Sequence, residues 1–212
     1  MKIAVVLYDN VEPIEIAILG TLSMARRVYP QLTYFTVSQD GSLVELQNGL
    51  RVQTDYAFDN APAADIVMIT GGPGWKVQVK NQRMLSFLKE RHTQANTCVA
   101  SVCTGALILA AAGLLDNKRA TTKVPVIAPE ACPLSTMAET HPSIETVEAL
   151  VVDEGDVITG GGVSLCIDLT LYLLERFLGE EVARETARIM EYSAAHEANR
   201  QRLPIFRSAP TA

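Results

Sequence analysis

Three short stretches of this chain, residues 3–8, 65–70 and 97–102, are apolar almost throughout, and each stops at a glycine-rich or helix-forming segment. A strand with one wet face alternates apolar and polar residues. A run without alternation is buried on both faces, as at the centre of a parallel sheet. Helix signals fall between the runs. Pro13 and Glu15 stand at a helix start, with Ile14, Ile18, Leu22 and Ala25 spaced for one apolar face. Asn81 is placed to cap a helix through Gln94, with Met84, Leu85 and Leu88 inward. Strand and helix in alternation predict an α/β fold: a three-layer sandwich with a mostly parallel central sheet and helices on both faces. Ligands of such sheets bind beyond the carboxyl ends of the strands.

The remaining segments fit that plan. Residues 32–38 alternate as a strand, 39–42 read as a turn, and a short extended pair follows within 43–53. Residues 120–122 form another short strand. Prolines at 125, 129, 133 and 142 make the next stretch irregular, a loop or a short capping helix beside the site. Residues 146–152 and 157–159 predict a hairpin about the turn 154–156. After the glycines at 160–162, Ser164 caps a long apolar helix to Leu178, and 180–199 form a second, amphipathic helix with Val182, Ile189 and Met190 inward. Residues 1–200 are expected to form one domain and 201–212 a loosely held tail.

Composition narrows the partners. The net charge of −6 and the lack of any Lys/Arg cluster weigh against nucleic acid. The longest apolar or glycine run, around 105–115, is too short to span a membrane, and residues 3–8 are too short for a signal peptide core. A cytoplasmic protein is expected. Cys98, Cys103, Cys132 and Cys166 have no metal-ligand spacing and are too sparse for a disulfide scaffold, which predicts reduced thiols and no metal.

Cys103 carries the chemistry. It ends the apolar strand 97–102 and opens the Ala/Leu-rich helical run 105–115. A sharp strand-to-helix turn presents its central side chain to a substrate, and the partial positive charge of a helix N-terminus favours thiolate over thiol. The same residue also reads as a buried structural cysteine, a common fate for a free thiol. The segment near Glu15, the glycine loop 71–74 and the Cys103 turn should converge at one edge of the sheet.

Leu7-Tyr8 with Glu15, the run 69–74, the run 101–106, Ala112-Gly113-Leu114-Leu115, Arg119-Ala120-Thr121-Thr122 and the run 158–162 occur here in one order. That ordered set resembles the ThiJ/PfpI superfamily over roughly residues 1–192, and within it the isonitrile hydratase branch and the sensor domains of AraC-type regulators. The resemblance implies a flavodoxin-like fold with a glutamine-amidotransferase-like nucleophile turn. It implies Cys103 as nucleophile and Glu15 as the acid that hydrogen-bonds it or shuttles a proton. Isonitrile hydratases carry aspartate at the Glu15 position, so the longer side chain is a departure. Gly72 and Thr104, through backbone amides, would cradle an oxyanion or polarised substrate atom, and the Thr104 hydroxyl would position substrate. The glycine loop also reads as a plain turn, and Glu15 as a first-turn glutamate favoured by the helix dipole.

Hydrolytic members place histidine after the cysteine or further on, where this chain has Thr104 and Lys123. His92, His141 and His196 all read as surface residues, so a Cys-His-acid triad, and with it protease or amidase activity, is disfavoured. The expected function is cofactor-free hydration of a small electrophile, most concretely an isonitrile to an N-substituted formamide. Glyoxalase-type hydration of a 2-oxoaldehyde belongs to the same class. The alternative is a ligand- or redox-sensing module without turnover, in which Cys103 oxidises readily as an exposed, low-pKa thiol. No helix-turn-helix pair is expected after residue 200. The resemblance implies a homodimer closing over the site, compatible with an apolar helix 14–25.

Overall fold

A computed structural model describes residues 1–208. In chain order the elements are β1 (Lys2–Val6), α1 (Ala17–Val28), β2 (Thr33–Ser38), β3 (Leu43–Glu45), β4 (Arg51–Gln53), β5 (Tyr56–Ala57), β6 (Ile66–Ile69), α2 (Trp75–Gln78), α3 (Gln82–Thr93), β7 (Cys98–Val102), α4 (Gly105–Ala111), β8 (Arg119–Ala120), α5 (Pro133–Thr140), β9 (Glu145–Thr146), β10 (Val151–Asp153), β11 (Val157–Gly160), α6 (Cys166–Leu178), α7 (Glu180–Ile189), α8 (Ser193–Arg202) and β12 (Ile205–Arg207). Eight strands form one sheet in the order β12-β10-β11-β7-β6-β1-β2-β5. Every pairing is parallel except β10 with β11. All positions of β6, β7 and β11 are buried, so both faces of the sheet centre are covered. Helices α1, α6 and α7 pack together, and α3 packs with α4, giving the expected three-layer α/β sandwich.

From β1 the chain crosses one way to β2 and the other way to β6, so a topological switch lies between β1 and β6. Ligand crevices open at such switches. The segments carrying Glu15 and Gly71 leave β1 and β6 there, and those carrying Cys103 and Gly161 leave the neighbouring β7 and β11.

Several local expectations hold. The Asn81 side chain accepts hydrogen bonds from the amides of Arg83 and Met84, capping α3. The extended pair is the antiparallel β3–β4, the hairpin is β10–β11, and the proline-rich stretch contains the short α5. Others are corrected. Residues 13–16 form a 3-10 turn, whose three residues per turn break the 3.6 spacing; Ile14 therefore stands 43% exposed while Ile18, Leu22 and Ala25 are buried. Helix α4 stops at Ala111, because Gly113 adopts a left-handed φ of +72° and ends it. Ser164 does not cap α6; it lies within a 3-10 turn, Val163–Leu165, that leads into the helix without a side-chain cap.

The single helix expected over 180–199 is two. Glu191, at φ 56°, breaks it, and the turn lets Tyr192, His196 and Asn199 reach the fully buried Asp168 of α6 at 2.9, 2.6 and 2.9 Å. Nor are residues 201–208 loosely held. They finish α8, bury Leu203 and add β12 as an edge strand on β10, with the Leu150 amide donating to the Pro204 carbonyl at 2.8 Å. Residues 209–212 lie outside the described residues. No helix among the described residues is long and apolar enough to cross a membrane.

Candidate functional site

Cys103 sits between β7 and α4 with φ 51°, in the left-handed region. That conformation costs a residue with a Cβ about 1–2 kcal/mol. Two hydrogen bonds tie it to distant segments. The Cys103 amide donates to the Gly161 carbonyl at 3.1 Å, and the buried Thr122 hydroxyl donates to the Cys103 carbonyl at 2.6 Å. The turn is therefore clamped to the loop after β11 and to the segment after β8.

The amides of Val163 and Thr104 both face the sulfur. Val163 has φ 59°, a rare conformation for a β-branched residue. Strain at a site-lining residue persists only where its surroundings over-determine it. Sequence reasoning overlooked Val163. The signal was the glycine run 160–162 ending a central strand, which implies a tight return whose next amide faces the cleft.

The thiol itself departs from expectation. Cys103 is 3% exposed, and burial first, then the charge of Glu15, pushes its pKa well above the ordinary value. It is a protonated, buried thiol in the free protein, not an exposed thiolate, because desolvation outweighs what the two amides return.

Glu15 comes from the 3-10 turn after β1 and is fully buried. Its Oε2 accepts the Gly71 amide, and its Oε1 has no hydrogen-bond partner among the described residues. Burial raises the carboxyl to about 8, helped by the charge of Glu12 and opposed by Gly71, Cys103 and Lys123. Glu15 and Cys103 each shift the other's titration, so they titrate as a pair. At neutral pH that pair is neutral. Tyr8 lies in the same buried cluster, donating to the Thr70 carbonyl at 2.8 Å, and burial followed by the charges of Glu15 and Cys103 raises its pKa as well.

Gly72 and Thr104 meet, but not as open donors. The Gly72 amide donates to Thr104 Oγ1 at 2.9 Å, and that hydroxyl lies 3.3 Å from the Gly72 carbonyl. The amide expected to be unencumbered is thus occupied, because the loop 71–74 folds back onto the start of α4. Gly72 has φ +132°, and a Cβ there would collide with the Glu12 amide, so only glycine fits.

The sulfur opens onto a cleft of about 460 Å³. Pro73, Trp75, Pro129, Pro133 and Val163 supply apolar walls, and Glu12, Lys76, Lys123 and Glu130 supply charge. None of the three histidines lines it. His92 pairs with Asp156 at 2.8 Å, His141 ends α5, and His196 pairs with Asp168. Lys123, beside the clamping Thr122, holds both carboxylate oxygens of Glu130 at 2.7 and 2.9 Å. A buried acid beside a thiol, two backbone amides and a small mixed cleft suit proton-coupled addition of sulfur to a small electrophile.

Residues 1–176 match the family model described as DJ-1/PfpI family. An isonitrile hydratase from Pseudomonas putida is 31% identical over 171 residues, 78% of this chain and 68% of that protein. The HTH-type transcriptional regulator GbdR of Pseudomonas aeruginosa is 30% identical over 96% of this chain, which spans only 54% of the regulator's length. Among solved structures, a THiJ/PfpI family protein from Pseudomonas syringae superposes with a TM-score of 0.76 at 24% identity, over 90% of this chain and 74% of that one. Drosophila melanogaster DJ-1beta superposes at 0.73 and 19% identity, over 90% and 97%.

Proposed function

This chain belongs to the DJ-1/PfpI family, and from that premise we propose that it is a cofactor-free enzyme of the isonitrile hydratase type, with Cys103 as nucleophile and Glu15 as proton shuttle. One observation carries the reading: a fully buried carboxyl, raised to about 8 and with an unpartnered oxygen, stands against the thiol at the floor of a cleft. A carboxyl kept protonated at neutral pH is an acid ready to donate.

The reaction follows from the neutral pair. Cys103 sulfur bonds to the isonitrile carbon while Glu15 gives that carbon its proton and takes the thiol's, leaving an enzyme-bound thioimidate, Cys103-S–CH=N–R. Water adds across the C=N bond, its hydroxyl to carbon and its second hydrogen to nitrogen, with Glu15 relaying the proton. Collapse of the adduct forms the formamide C=O, breaks the C–S bond and returns the hydroxyl proton through Glu15 to sulfur. The sum is R–NC plus water giving R–NH–CHO. The Val163 and Thr104 amides, aimed at sulfur, hold its developing charge as that bond breaks. This replaces the Gly72 amide as the donor expected from sequence, while Thr104 keeps a role through its backbone.

The test is incubation with aryl and alkyl isonitriles beside Cys103→Ala and Glu15→Gln. Formamide formed by wild type and lost in both variants is expected; equal turnover in Cys103→Ala would sink the nucleophile assignment. Glyoxalase-type hydration is tested by adding 2-oxoaldehydes to the same panel. A sensing role is favoured by one observation, the match to GbdR over 96% of this chain. It predicts ligand binding with no turnover of either class. We further propose a cytoplasmic homodimer, for which the exposed Ile14 beside Glu15 is a candidate contact, testable by sedimentation of wild type against Ile14→Glu.

A further inference from the structure

The two charged partners on the cleft wall, Lys123 and Glu130, are held very differently. Lys123 follows Thr121 and Thr122, both buried, and Thr122 is hydrogen-bonded to the Cys103 carbonyl, so the lysine backbone is tied to the nucleophile turn. Its stem runs against Gly162. A Cβ on Gly162 would come within 2.5 Å of Lys123 Cβ and 2.8 Å of Cγ, so the glycine makes room for this side chain. The Lys123 side chain is 19% exposed. Glu130 sits on the irregular segment before α5, is 43% exposed, and its carboxylate makes no other hydrogen bond among the described residues. An ion pair with a solvent-exposed member contributes little to stability, so Glu130 is readily displaced.

The fixed charge beside Cys103 is thus positive and the replaceable one negative. We propose that Lys123 is a specificity-determining residue that accepts the carboxylate of an anionic substrate, with Glu130 occupying its place in the free protein. The inference rests on the cleft assigned above. With Glu130 swung away, Lys76 and Lys123 oppose Glu12 alone, and the cleft carries net positive charge. The substrate class is then a small electrophile carrying a carboxylate, such as an isocyano acid, with its apolar body against Trp75 and the prolines.

The experiment uses a reporter built into the chain, since Trp75 is its one tryptophan and lines the cleft. The Cys103→Ala protein, which cannot turn over, is titrated with 4-formamidobenzoate and with its methyl ester, and Trp75 fluorescence is followed. The acid is expected to bind about tenfold more tightly than the ester, as befits one charge-assisted hydrogen bond. Adding Lys123→Met should reduce the preference to about twofold or less, and Lys123→Arg should keep it, separating charge from packing. Glu130→Gln should tighten acid binding by removing the competitor. Equal or tighter binding of the ester, binding of neither compound at millimolar concentration, or a preference that survives Lys123→Met would overturn the proposal. Because binding is read without chemistry, absence of isonitrile turnover with the acid preference intact would refute the hydratase reading and leave Lys123's role standing.

Discussion

Glu15→Gln isolates what burying one carboxyl does to this fold. In the unfolded chain Glu15 titrates near 4.5, and in the folded chain near 8. Between those values the folded state holds a proton that the unfolded state has lost, so stability falls as pH rises through the window. At 1.36 kcal/mol per pH unit the full effect is on the order of 5 kcal/mol, present below about pH 4.5 and gone above about pH 8. Glutamine keeps an acceptor for the Gly71 amide and carries no charge at any pH. The variant should therefore lack this component of the slope while sharing every other one.

Urea denaturation of both proteins from pH 5 to 8.5, followed by circular dichroism, gives the difference in unfolding free energy at each pH. The wild-type value should drop relative to Glu15→Gln by several kcal/mol across that range, until the variant is the more stable protein near pH 8.5. Repeating the pair in a Cys103→Ala background should preserve the slope, because burial, the largest cause of the raised pKa, remains. A difference constant within about 1 kcal/mol from pH 5 to 8.5 would refute the claim that Glu15 is held protonated.

The same carboxyl sets the expected activity profile. Isonitrile hydration should hold below about pH 8 and decline above it as Glu15 loses its proton, which initial rates across pH would show. Thr122→Val deletes the hydroxyl that donates to the Cys103 carbonyl, which keeps only the 3.3 Å bond from the Ala106 amide; the loss should cost about 0.5–1.5 kcal/mol in urea melts and loosen the turn, read as faster alkylation of Cys103 by iodoacetamide. Gly162→Ala drives a methyl group against the Lys123 stem and should destabilise by about 1–3 kcal/mol while weakening carboxylate binding. Asp168→Ala removes the shared partner of Tyr192, His196 and Asn199, and hydrogen exchange over 193–202 should rise while exchange in β7 stays slow.

What could be read in the sequence was what depends on local pattern. Unbroken apolar runs report burial on both faces directly, so β1, β6 and β7 were legible, as was the Asn81 cap, which acts within one helical turn. The break at Glu191 was not legible. It brings Tyr192, and with it His196 and Asn199 of α8, onto Asp168 of α6, contacts spanning 24 to 31 positions that no local window contains. The edge strand β12 was missed for the same reason, its partner β10 lying some fifty residues away in the chain. At the site, the residue types and their meeting at one sheet edge were legible, but the hydrogen bonds among them were not. The resemblance implied an open Gly72 amide, whereas Thr104, 32 positions on, fills it.

The protonation state of Cys103 shows which of two opposing effects governs this site. A helix N-terminus contributes about 0.3–1 kcal/mol toward the charged form, rising to about 2 in favourable geometry, and α4 has only seven residues to supply it. The neighbouring Glu15 carboxyl, in the same cluster, is shifted by a net amount on the order of 5 kcal/mol against its charged form, with burial the largest cause. Desolvation therefore wins, and the free protein keeps both protons of the pair. A thiol so held is protected from casual alkylation and oxidation, since those reactions require the thiolate. It still adds to a substrate that can take a proton at the carbon sulfur attacks, because then no charge need be created in the buried site. An isonitrile carbon meets that condition, whereas addition to an amide carbonyl develops an oxyanion, and none of the histidines lines this cleft to act as its base. Under the proposed hydratase reading, the neutral acid–thiol pair is itself what selects hydration of a carbenic carbon over hydrolysis.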